Sequence, residues 1–231
     1  MSFSVTKYDS VREQMQPGDV IAFAGKSHFS EIIKTVTRSQ VSHVGVILQT
    51  QATYETGDQA RVFNLIIEST KWKEFMGVDA IRLSDRLRGY DGQVWWLPLS
   101  KKLRQDRKFD LKKFFDFLYA QKGKPYDLKQ AVNSALDALD KVLGQLCPTA
   151  NAEDFSRFFC SELVAAGLEA GGLLPKLNAS EVTPIDLCTW NIFEPDYHQL
   201  YWTKKPAAKE QVEIKFFNTC DPALWSAKQA G

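Results

Sequence analysis

Strand-like runs fill the first hundred positions of this chain, and helix-like runs fill much of the rest. PGDVIAFAG at 17–25 and VSHVGVILQ at 41–49 join apolar, β-branched residues to turn signals. RVFNLIIEST at 61–70, VDAIRL at 78–83 and QVWWLPL at 93–99 continue the pattern. Such runs predict strands. The connections look short, so a mainly antiparallel sheet is expected. The lead-in through Gln14 reads as polar, with a helical turn at most, and TQATYETGDQA at 50–60 as a polar connection. SEIIKTVTRS at 30–39 reads as a short helix with Ser30 as its N-cap.

After position 100 the spacing changes. FDLKKFFDFLYAQKG places Leu111, Phe114, Phe115 and Leu118 at helical intervals. LKQAVNSALDALDKVLGQL at 128–146 is a second helix, and SELVAAGLEA at 161–170 a third, closed by Gly171 and Gly172. TKKPAAKEQ at 203–211 reads as a solvated linker before a last strand, VEIKFF, at 212–217. Strands segregated before helices predict an α+β fold.

The 231 residues are 44% hydrophobic, enough to bury the core of one domain spanning 1–231. Lys and Arg number 29 against 28 Asp and Glu, so no overall field draws nucleic acid or an anionic membrane. The basic run KKLRQDRKFDLKK at 101–113 reads as a solvated segment entering an amphipathic helix. The four cysteines, at 147, 160, 188 and 220, form no CxxC pair and no zinc spacing. Reduced thiols, no apolar h-region at the N-terminus and no spanning segment together predict a cytoplasmic protein. No cofactor or metal is expected, and the oligomeric state is not readable.

Cys160 opens the helix of FFCSELVAAGLEAGG. There the unsatisfied amides and the dipole favour thiolate over thiol. Glu162 opposes ionisation if it faces the sulfur, but two residues along a helix turn it away. Buried packing cysteines are common, so the residue alone leaves both readings open. A thiol nucleophile needs a base. Of the three histidines, His28 lies in a loop and His198 in the aromatic stretch PDYHQLYW, where it looks structural. His43 lies inside VSHVGVIL, and alternation puts Val41, His43, Gly45 and Ile47 on one face, with Gly45 leaving space beside the imidazole. Glu68 ends FNLIIEST. If its strand pairs antiparallel with that of His43, Glu68 can orient the ring; otherwise it is the strand's exposed end.

PGDVIAF, SEIIKTVTRSQVSHVGVI, IIEST, GKPYD and FFCSELV, in this order, resemble the circularly permuted papain-like amidases of the NlpC superfamily. The likeness runs from about Pro17 to about Leu187. In that branch the histidine and the third polar residue precede the cysteine, as they do here. The resemblance implies a permuted papain-like fold and a cysteine hydrolase acting on peptide-like amides, including cell-wall peptides. It implies Cys160 as nucleophile, His43 as general base and Glu68 as orienting residue. It places Tyr126 near the oxyanion or substrate, where the alternative is a packing turn residue. Asp19, at the family's Gly-Asp position, reads as structural. The chain departs from the pattern by a helical insertion near 128–151 and an aromatic-rich C-terminal extension from about 190.

Three other readings stay open on the sequence. The same site serves a lipid acyl hydrolase or acyltransferase if Trp72, Phe75, Trp95 and Trp96 line an apolar groove. The scaffold is a non-catalytic binding module if the thiol is inert. His43, Glu68 and Cys160 are also a possible metal-ligand set.

Overall fold

The computed structural model describes residues 2–26, 30, 34–35, 37–56, 59–72, 74–125 and 159–227. His28, Tyr126, Cys147, the 128–151 insertion and residues 31–33 and 36 of the expected 30–39 helix lie outside the described residues.

The chain begins with β1 (Ser2–Lys7), α1 (Tyr8–Val11) and a 3₁₀ turn (Arg12–Gln14). β2 (Val20–Gly25), β3 (His43–Thr56), β4 (Gln59–Trp72) and β5 (Phe75–Arg82) follow. Then come α2 (Leu83–Arg88), β6 (Gly92–Leu97), α3 (Lys101–Asp106) and α4 (Leu111–Ala120). α5 (Cys160–Ala170), α6 (Pro184–Thr189), β7 (Asp196–Tyr201) and α7 (Pro222–Ala227) complete the elements used below. The architecture is α+β, as expected. The strands form one seven-stranded sheet in the order β1-β7-β6-β2-β3-β4-β5. No helix among the described residues is long and apolar enough to cross a membrane.

Alternation along the central strands separates two cores. Val20, Ala22, Val44, Val46, Ile67, Trp95 and Leu97 point to the face packed by α4, α5 and α6. Ile21, Phe23, Ile47, Ile66 and Trp96 point to the face packed by α1 and α2. A sheet covered on both faces has few places where a polar side chain reaches solvent, so its buried charges need partners.

Three sequence expectations are corrected. The sheet is mainly antiparallel, as expected, with one parallel pairing, β1 with β7. The polar lead-in is therefore an edge strand, in which Phe3 packs on Tyr197 with ring centroids 5.4 Å apart. The expected connection at 50–60 belongs instead to β3 and β4, which run on as a long hairpin past register shifts at Gln49. VEIKFF is not a strand: side chains take the place of a ladder. Gln199 Oε1 accepts from Val212 N at 2.9 Å, and Tyr197 Oη accepts from Ile214 N at 2.8 Å. Ile214 and Phe217 join the core beneath it.

The Pro17-Gly18 turn is an anchoring point. Gly18 adopts φ +90°, with Phe109 and Leu99 packed where a Cβ would stand. Asp19, 2% exposed, follows it. Its Oδ1 accepts from Leu99 N (2.9 Å) and Arg104 Nη2 (2.8 Å). Its Oδ2 accepts from Gln16 N and Trp96 Nε1, each at 2.9 Å. Arg104 Nη1 donates back to Pro17 O at 2.6 Å. Asp19 thus ties β2 to β6 and α3, in keeping with a structural reading. Most of the basic run around α3 is exposed, but Arg104 turns inward to this hub.

Candidate active site

α5 starts at Cys160 and is buried from Cys160 through Leu168. Burial on every side explains its small residues. A Cβ at Gly167 would stand 2.7 Å from Leu118 Cδ2, and one at Gly171 would stand 2.5 Å from Phe109. These glycines admit α4 and its lead-in; the histidine strand is not what they accommodate. Leu163, Val164 and Leu168 are fully buried, each worth about 1.5–3 kcal/mol relative to exposure. That packing fixes where the helix N-terminus points. Glu162 folds back on that terminus, its Oε2 accepting from Phe159 N at 3.4 Å. Ser161 is held by a 2.5 Å bond to Val182 O.

The Cys160 sulfur meets the first residues of β3. The His43 imidazole and the Val44 and Ser161 backbone amides are close enough to act on its ionisation. Ser42 secures the start of this strand: its N donates to Phe23 O at 2.9 Å, and its hydroxyl accepts from Gly25 N at 3.1 Å. Val41 precedes the strand and lies in the core on the α5 side, so the alternation expected from position 41 begins only at His43.

Glu68 meets the imidazole from the other side. β3 and β4 pair antiparallel with Val46 opposite Ile67, which brings Glu68 beside Gly45 on the face carrying Ile47 and Ile66. The space expected beside Gly45 is filled. A Cβ there would lie 2.7 Å from Ile66 Cδ1 and 3.1 Å from Glu68 Cβ. Glu68 Oε2 lies 2.5 Å from His43 Nε2. This contact leaves Nδ1 as the ring nitrogen available to the thiol. The Glu68 side chain is fully buried and that of His43 is 14% exposed.

The sequence reading missed Arg86. Its Nε donates to Glu68 Oε1 at 2.6 Å, from the last turn of α2. The guanidinium carbon lies 4.9 Å from both the Phe23 and Tyr90 ring centroids. Phe23 also touches the His43 ring, with centroids 5.3 Å apart. SDRLRGYD at 84–91 offers two arginines and two aspartates, and nothing in its spacing singles out Arg86.

The electrostatics follow from this chain of contacts. Burial pushes the Glu68 carboxyl upward, but the Arg86 charge and the His43 contacts outweigh it and hold the group below its usual value. Burial pushes the His43 imidazole down, yet Cys160 and Glu68 together raise it to about 9. Burial pushes the Cys160 thiol up, and the His43 charge, its hydrogen bond and the two amides bring it below the ordinary thiol value. Cys188 is the contrast: burial and the nearby Asp186 and Cys160 push that thiol far up. Two buried cysteines of one core are therefore shifted in opposite directions.

The other candidates fall elsewhere. His198 lies on β7, with Nδ1 sharing hydrogen bonds with Ser4 (2.7 Å) and Thr6 (3.2 Å) and its ring stacked on Trp96. Trp95 and Trp96 are core residues, held by Val212 O and Asp19, and line no groove. Phe75 is 40% exposed at the start of β5, and the Trp72 side chain lies outside the described residues. Among the described residues, no group of three or more His, Cys, Asp or Glu side chains is arranged to hold a metal ion. At His43, Glu68 and Cys160, both Glu68 oxygens and His43 Nε2 are already engaged.

No protein-family model matches the chain, and no curated protein matches it in sequence. Among solved structures, the chain is similar to the Escherichia coli O157:H7 protein described as metalloprotein yiiX, DUF1105. The two share 19% identity at a TM-score of 0.44, over 68% of this chain and 67% of that one.

Proposed function

We propose that the protein is a thiol hydrolase that cleaves an amide bond through Cys160, His43 and Glu68. The observation that carries this reading is the placement of His43, bonded on one side to the buried Glu68 and on the other close enough to the Cys160 thiol to favour its ionisation. A packing cysteine has no need of a charged partner, and an incidental histidine has no need of a buried carboxylate.

In this reading the resting pair is thiolate and imidazolium. The Cys160 sulfur attacks the substrate carbonyl carbon, and the carbonyl electron pair moves to oxygen. The Cys160 main-chain amide, in the first turn of α5 where amides lack intrahelical acceptors, stabilises that oxyanion. As the C–N bond breaks, His43 gives its proton to the departing amine, and a thioester remains on Cys160. Neutral His43 then takes a proton from water, whose oxygen attacks the thioester. The acid leaves and thiolate and imidazolium are restored. Glu68 holds Nε2–H throughout, so the same face of the ring meets the sulfur in both halves of the cycle. The resemblance carried by SHVGV and CSELV directs the substrate class to peptide-like amides.

The test is hydrolysis of a panel of peptide amides and acyl esters by the whole chain and by Cys160→Ala. Loss of about a thousandfold or more in rate on the amides is expected. Full amide hydrolysis by Cys160→Ala overturns the reading. Turnover of acyl esters alone moves the substrate class to lipid-like acyl groups.

A further inference from the structure

We propose that Arg86 is a positioning residue of this site: its guanidinium, laid over Phe23 and Tyr90, holds Glu68 with one oxygen aimed at His43 Nε2. The inference rests on the thiol-hydrolase reading and adds a fourth member to the chain of contacts.

The geometry supports a directional role. Arg86 Nε meets Glu68 Oε1 at 2.6 Å, leaving Oε2 for His43 at 2.5 Å. A carboxylate fixed at both oxygens cannot rotate away from the imidazole. The Arg86 side chain is 12% exposed and that of Glu68 is fully buried, so the pair sits where charge is poorly screened. Both rings lie 4.9 Å from the guanidinium carbon, and a lysine ammonium, a compact charge without the planar fork, does not reproduce that contact together with the bond to Glu68. Phe23 touches both Arg86 and His43. One ring thereby sets the spacing between His43 and Arg86, the two partners of Glu68.

The charge count gives the second argument. With Glu68 and Cys160 ionised and His43 protonated, the cluster holds two anions and one cation; Arg86 makes it neutral. Among the described residues, the other titratable groups near it are Tyr90 after α2, Asp79 opposite Glu68 on β5, Cys188 on α6, and Glu162, buried in the first turn of α5 with its Oε2 on Phe159 N. Asp79 is paired with Lys122 at 3.4 Å. Without Arg86, a proton must settle on Glu68 or on Cys160. If it settles on Cys160, the thiolate is lost directly. If it settles on Glu68, the imidazolium loses its support and the thiolate follows. By either route the thiolate forms at higher pH.

The experiment is the pH dependence of Cys160 alkylation by iodoacetamide, read by peptide mass spectrometry, in the unaltered chain, Arg86→Lys and Arg86→Gln. The acid limb is expected to rise in that order. In Arg86→Gln a rise of about one unit slows alkylation about tenfold below the limb. A merely structural arginine changes stability and leaves the limb in place. Coincident limbs in folded variants overturn the proposal. If Arg86→Gln does not fold, Arg86→Lys decides: a limb above that of the unaltered chain supports it, and a coincident limb overturns it. If Cys160 of the unaltered chain reacts no faster than Cys220, the hydrolase reading itself fails, so the two failures are told apart.

Discussion

Glu68 reaches His43 across the side-chain gap left by Gly45. The carboxylate oxygen lies 2.5 Å from Nε2, and a Cβ at position 45 would stand 3.1 Å from Glu68 Cβ. It would also stand 2.7 Å from Ile66 Cδ1, in a fully buried side chain. Gly45→Ala must therefore move Ile66, Glu68 or both. Overpacking of this kind costs about 1–3 kcal/mol, which urea unfolding measures. The shifted Glu68 also weakens the His43 contact, so slower Cys160 alkylation at pH 7 is expected beside the stability loss. Unchanged stability and unchanged alkylation together would show that the gap has no role.

The three residues of the candidate site stand out in the sequence because each breaks a local pattern. His43 interrupts a β-branched strand, Glu68 follows three apolar residues, and Cys160 opens a helix. Arg86 breaks none: it is one arginine in a charged helix turn, and only the tertiary fold brings it to Glu68. The α+β class was legible from segregated periodicities. The β1 strand was not, because its half-buried edge alternates Phe3 and Val5 with serine and threonine too weakly to stand out. VEIKFF has strand composition, yet Gln199 and Tyr197 side chains satisfy its amides, and side-chain partners of that kind leave no periodic trace.

The His43 shift fixes the pH window. Its folded value of about 9 lies above the ordinary imidazole value of 6.5. A raised group stabilises the fold fully below its unfolded value, and that contribution is lost as pH rises through about 9. On the proposed mechanism the leaving amine takes the His43 proton, so hydrolysis is expected to fall across the same range. Cys160 shifts the other way, so its acid limb lies below the ordinary thiol value. In His43→Gln the buried thiol loses its cation and burial alone pushes it up. Alkylation of Cys160 at pH 7 should then slow about tenfold or more. An equal rate in His43→Gln contradicts the ion pair.

Phe23 supports the site without touching the sulfur. Its ring is 5.3 Å from the His43 ring and 5.1 Å from the Tyr90 ring, and it lies beneath the Arg86 guanidinium. Phe23→Leu keeps an apolar side chain but removes the flat surface on which both charged groups rest. The expected stability loss is about 1–2 kcal/mol, from a partly filled cavity. A slower alkylation rate at pH 7 should accompany it, because His43 and Arg86 gain freedom together. A stability loss with no change in alkylation would restrict Phe23 to packing.

Asp19 gives the opposite case, a buried charge with no path to the sulfur. Both oxygens are engaged, by Leu99 N, Gln16 N, Trp96 Nε1 and Arg104 Nη2. In Asp19→Asn an amide NH₂ must replace one acceptor oxygen and face donors, and the buried Arg104 loses its counter-charge. Removing one partner of a buried pair costs about 3–5 kcal/mol, because the other charge stays uncompensated. Chemical denaturation of Asp19→Asn should show a loss of that order. The folded fraction should alkylate at Cys160 with the pH profile of the unaltered chain, since no hydrogen bond of Asp19 reaches His43, Glu68 or Arg86. A displaced acid limb in Asp19→Asn would connect the Pro17-Gly18 turn to the site and overturn the structural assignment.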